Sequence, residues 1–162
     1  MLQETKETAT EANARYARNF RDKHKEKWYG YFQPYFKKWL EQPQNYFAHR
    51  CRNQVISSRK NLESWKVAHD SGKSADHIVP VRLLGLFFLE RGVLKREDRK
   101  MISLLVSIAN SDFNIRYIKK EKNTKSNHAK IDRQLVIAEK MEATNPVVCE
   151  GLVKWLEKYY GV

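Results

Sequence analysis

From Thr5 to about Lys27 the chain carries helix formers and neither Gly nor Pro, with Tyr16, Phe20 and Trp28 spaced at four and eight residues on nearly one face. A long amphipathic helix follows from that spacing. Gly30 and Pro34 interrupt it. Pro34 suits the start of a short helix bearing Phe36, Trp39 and Leu40, which Pro43 ends, and a third helix is expected from about Asn45 to Ala68.

The pattern changes after the turn signal Ser71-Gly72-Lys73. Residues 74–80 read SADHIVP, an extended segment closed by Pro80. The apolar run Val81–Leu89 and the helical spacing of Ile102, Leu105 and Ile108 predict helices over 81–91 and 96–109. Phe113, Ile115 and Tyr117 then alternate with polar positions, as in a strand that includes Asn114. From Thr124 the helical period returns through Ile131, Leu135 and Ala138 and stops before Asn145-Pro146. A last helix spans Val147–Tyr159, anchored by Trp155 and Leu156. The expected fold class is α+β, mainly α-helical. Residues 1–71 are expected to form a basic helical region, 72–142 a strand–insertion–strand–helix core with a helical insertion at 81–110, and 143–162 a helix packed on that core. Phe87, Phe88, Leu104 and Leu105 of the insertion are expected in the core.

Composition narrows the partners. The chain has 162 residues, a size for one domain with an appendage, and 41% hydrophobic residues suffice for a packed core. With 31 Lys+Arg against 19 Asp+Glu the net charge is +12, so polyanions are attracted and nucleic acid is the leading partner, with the basic residues of 1–71 expected to offer a docking surface for DNA phosphates. No run of about 18 apolar residues occurs, and the polar N-terminus resembles neither a signal peptide nor a presequence, which predicts no membrane partner and a cytoplasmic location. Cys51 and Cys149 belong to no CxxC pair or Cys/His cluster, so neither a disulfide framework nor structural zinc is expected. His24, His49 and His69 are read as surface or capping residues. No Gly-rich GxxxxGK[ST] loop is present, and no nucleotide cofactor is expected.

One constellation stands out: Asp76-His77-Ile78-Val79-Pro80 on the first strand, Asn114 on the second, and Asn123 nine residues later at the mouth of a helix, followed by Lys125, Asn127 and His128. Each piece alone is weak. In this order they resemble the HNH endonuclease family, whose ββα-metal motif has this layout, over roughly Ser74 to Lys130. The resemblance implies a phosphodiester hydrolase leaving 5′-phosphate and 3′-hydroxyl ends, of restriction, homing or nonspecific type, with a dimer or two successive nicks needed for a double-strand break. A noncatalytic nucleic-acid-binding protein, with Asp76-His77 a structural pair, is the rival reading.

The chemistry is coherent with that resemblance. Hydrolysing an anionic diester needs a base for water and a cation to neutralise the phosphorane and leaving oxygen. His77 supplies an imidazole that is largely neutral at pH 7. A regular strand would turn Asp76 and His77 to opposite faces, so His77 must sit where the strand ends. The Asp76 carboxylate and the Asn123 amide suit a hard divalent ion, Mg²⁺ with Mn²⁺ as substitute. By resemblance Asn114 holds the His77 loop and ring. Asn123-Thr124-Lys125-Ser126 is one residue shorter than the usual family spacing, which makes Asn127, four residues on along one helix face, and His128 alternative ligands. Lys125, with Arg116, Lys119, Lys120 and Lys122, is expected along the DNA backbone.

Overall fold

The computed structural model describes residues 15, 19, 22–27, 30, 33–59, 62–120 and 129–162. They fall into two compact units, divided after Leu40. Phe47, Ala48 and Cys51, within the region read as ending at residue 71, belong to the same buried core as the residues that follow. Among the described residues no helix is long and apolar enough to cross a membrane.

In the first unit Arg15, Asn19, Asp22 and Lys23 are helical, as is α1 (Lys25–Lys27). Tyr16, Phe20 and Trp28, the proposed apolar face, lie outside the described residues. Helix α2 (Gln33–Glu41) carries Pro34 in its first turn, where a missing N–H costs no hydrogen bond. Phe36 and Trp39, three residues apart, stack at 5.8 Å.

The second unit is mainly helical around one small antiparallel sheet. The helix before Pro43 stops at Glu41 as expected, and Pro43 itself opens α3 (Pro43–Arg59). The single helix expected to Ala68 is interrupted: Leu62 is extended at φ −76°, ψ 137°, and α4 (Glu63–Asp70) starts afresh. At the end of α3 the buried Arg59 side chain turns in to the Asn110 carbonyl at 3.0 Å and to the Asp112 carboxylate. Strand β1 (Lys73–His77) follows Gly72, whose φ of +73° gives the turn its left-handed residue. Helices α5 (Val81–Glu90) and α6 (Arg99–Ala109) fill the insertion, and Asp98 caps α6 by accepting from the Met101 N–H at 2.9 Å.

A 3₁₀ turn at Asp112–Asn114 precedes β2 (Ile115–Lys119), so Asn114 stands just before the second strand and not on it. Ala129 and Lys130 are not helical and α7 is Ile131–Thr144, later than the Thr124 start the periodicity implied; residues 121–128 lie outside those described. The last helix is two, α8 (Pro146–Cys149) and α9 (Leu152–Tyr160), broken at Gly151 with φ +84°.

The core forms where α3 crosses α5. Phe47 meets Phe88 edge-on at 5.8 Å, and Gly85 permits the approach, since a Cβ there would lie 3.2 Å from the Phe47 ring. Phe87, Phe88 and Leu105 are buried as expected, whereas Leu104 is 46% exposed because it falls on the outer face of α6. Gln134 ties the C-terminal helices together, donating to the Ala129 carbonyl at 2.7 Å and accepting from the Tyr160 hydroxyl at 2.8 Å. Trp155 donates to Glu90 at 2.6 Å and so fastens α9 to α5. Cys51 and Cys149 are free thiols in this core, and burial pushes the Cys149 thiol up to about 11.

Candidate active site

The two strands pair antiparallel with Asp76 opposite Arg116 and His77 opposite Ile115. His77 is therefore the last residue of the ladder, as its chemistry required. Beyond it the chain is carried by Asn114, which is fully buried. The Ile78 N–H donates to the Asn114 carbonyl at 2.8 Å and the Val79 N–H to Asn114 Oδ1 at 2.8 Å, while Nδ2 donates to the carbonyls of Ala109, at 2.7 Å, and Val79, at 3.4 Å. One amide thus satisfies a turn that has left its sheet, and a buried backbone group without a partner is costly. Pro80 comes next and, having no N–H, needs no acceptor there.

The ring of His77 is held by a different residue. Nε2 lies 2.7 Å from Asn110 Oδ1, and Asn110 is itself buried at the end of α6, with Nδ2 donating to the Cys51 carbonyl at 3.0 Å. A carbonyl can only accept, so the Asn110 NH₂ must face Cys51 and its oxygen must face the imidazole. Nε2 therefore carries the proton and Nδ1 keeps the lone pair. Burial holds the His77 pKa below the ordinary imidazole value; the Asn110 bond and the Asp76 charge work against this, and Arg52 and Arg59 work with it. Neutral imidazole is the favoured form, and it is the form a base needs.

Asp76 is partly buried and its Oδ2 accepts from Arg116 at both Nε, 2.8 Å, and Nη2, 2.7 Å. Arg116, expected along a DNA backbone, is the cross-strand partner of the carboxylate. Asp76 and His77 line one cavity of about 800 Å³ bounded by α3, α4, both strands and the start of α5. Lys120 lines it too, and Lys119 is exposed opposite Lys73. Asn123, Asn127, His128, Lys122 and Lys125 lie outside the described residues.

A hard divalent ion suits what is described here: Mg²⁺ is usually held by one or two carboxylates together with waters and substrate phosphates, and Asp76 provides one carboxylate at the edge of an open basic cavity. Among the described residues no group of three His, Cys, Asp or Glu side chains gathers as a complete site.

Asn110, Arg59, Arg52 and Trp65 were not anticipated at the site. Asn110 carried only a faint signal, a polar residue ending an apolar helix four positions before Asn114. Compared with known proteins, the chain matches no family model, no curated protein and no solved structure.

Proposed function

We propose that this protein is a metal-dependent DNA endonuclease of the HNH type, with β1, β2 and the segment after β2 as its ββα-metal core. The observation that carries the reading is His77: an imidazole at the end of a strand, its Nε2 2.7 Å from Asn110 Oδ1, next to a carboxylate and in a cavity lined by cations. In this mechanism Nδ1 takes the proton from a water molecule. The resulting hydroxide attacks phosphorus in line with the 3′ oxygen; the P–O3′ bond breaks and the departing oxygen takes a proton from solvent water, leaving 5′-phosphate and 3′-hydroxyl ends.

Asp76 would hold the metal, with Asn123, Asn127 or His128 as further ligands. The ion, when bound, supplies charge neutralisation at the phosphorane and the leaving oxygen. Arg116 fixes the carboxylate through one oxygen. Asn114 is a positioning residue for the loop and Asn110 one for the ring.

Supercoiled plasmid incubated with the pure protein should be nicked with Mg²⁺ and not with chelator. His77→Ala should slow nicking by about 10²–10⁴-fold, the usual contribution of a general base, while DNA retardation persists. Undiminished cutting by the variant removes His77 as the base. The Asp76–Arg116 ion pair favours one rival, a noncatalytic DNA-binding protein in which both residues only brace the sheet, and that rival predicts retardation without metal-dependent nicking at any Mg²⁺ or Mn²⁺ concentration.

A further inference from the structure

The cavity beside His77 holds more than the hydrolytic chemistry uses. Trp65 of α4 and Tyr117 of β2, both half-buried, contribute to its wall, and Trp65 is backed on one side by the His69 ring at 4.8 Å with 17° between the planes. That stack sets the orientation of the indole. Around the aromatic wall, among the described residues, the cavity carries four cations, Arg52, Lys73, Arg82 and Lys120, against the single carboxylate of Asp76, which Arg116 already engages.

Aromatic faces and cations together suit a polynucleotide, and the concave form selects which kind. In a duplex each base lies between its neighbours and offers only its edges to the grooves, so a side chain inside a cavity has no base face to meet. An unpaired strand exposes those faces, and proteins that bind one combine a cationic groove with aromatic platforms. A volume of about 800 Å³ is within the range of pockets that enclose a small molecule, far below what a double helix would need.

We infer that this cavity receives an unpaired stretch of DNA, stacking its bases on Trp65 and Tyr117 while Arg52, Lys73, Arg82 and Lys120 hold its phosphates. The inference rests on the nuclease reading in one respect, that the strand so held brings a phosphodiester to His77. It makes the substrate class a single strand, a gap, a flap or a melted site in preference to intact duplex.

The test separates binding from hydrolysis. Anisotropy of a fluorescein-labelled oligothymidylate and of a blunt hairpin duplex of equal nucleotide number is measured in EDTA with the full chain. The single strand should bind at least about tenfold more tightly. Trp65→Leu should weaken it by about tenfold, Trp65→Phe should restore most of the loss, and Tyr117→Leu should weaken it as well, with unfolding midpoints recorded to show that each variant is folded. Equal affinity for strand and duplex, or oligothymidylate binding unchanged by both leucine variants, overturns the inference. Addition of Mg²⁺ then addresses the other reading: a strand bound as described but never cut sinks the nuclease and leaves the groove standing.

Discussion

A histidine's charge is decided by its neighbours, and His77 shows which of them win. An exposed imidazole titrates near ~6.5. In this fold, burial outweighs the Asn110 bond and the Asp76 carboxylate, and the guanidinium groups of Arg52 and Arg59 add to it, so the folded-state value is lowered. Just below the ordinary imidazole value the unfolded chain then binds a proton that the folded chain refuses. Stability therefore rises with pH through this interval; it is fully present above the unfolded value and is lost as pH falls through the folded one. Denaturant titrations of the metal-free protein should show it as a difference from His77→Gln, which keeps an N–H donor but no titration. The stability of the natural chain relative to this variant is expected to fall as the pH drops below the ordinary imidazole value. A constant difference there would mean that His77 titrates as it does in water.

At the scale of elements, two polar or small residues decide where apolar segments can go. Asn114 serves Val79 on both backbone groups and Ala109 on its carbonyl, all within the fold and none replaceable by water without opening it. Asn114→Ala should cost about 3 kcal/mol or more, since each buried group left without a partner costs about 1–3 kcal/mol. Gly85 is the second case. Its missing side chain lets α5 approach α3 at Phe47 and Gln44, and Gly85→Leu should destabilise by about 1–3 kcal/mol through overpacking. Urea midpoints measure both. The Asn114 variant should also lose nicking activity beyond what instability explains, because the turn it holds begins at His77, whereas the Gly85 variant, while folded, should nick normally.

For the molecule as a whole, the excess of twelve positive charges acts at long range and the cavity acts at contact. Counterion release links the two to salt. Each phosphate neutralised on a single strand contributes about −0.7 to the slope of log affinity against log salt, so four cavity cations predict a slope near about −3. Lys120→Gln should reduce its magnitude by about 0.7, and a charge-neutralising substitution outside the cavity, such as Lys140→Gln on α7, should leave the slope nearly unchanged. A slope that responds equally to both would place the DNA over the whole basic surface and not in the cavity.

Local rules were enough for much of this protein. Chain-neighbour physics predicted a mainly helical α+β fold, the turn at Gly72, the two insertion helices, the stop at Asn145-Pro146 and the need for His77 to end a strand, because propensity, periodicity and Pro or Gly breaks act over a few residues. Asn114 was read as a residue of the second strand, whereas it stands in the 3₁₀ turn before that strand and does its work from there. What needed tertiary structure was every interaction between distant segments. The Arg59 guanidinium reaches residues 110 and 112 across the fold, and the tautomer of His77 follows from an asparagine whose own amide is oriented by Cys51. Arg116 was expected along DNA for its charge and its place beside the proposed metal site, and strand register sets it against Asp76. The cavity has the same origin: Arg52, Trp65, Asp76 and Tyr117 come from four elements, and no sequence spacing brings them together until those elements pack.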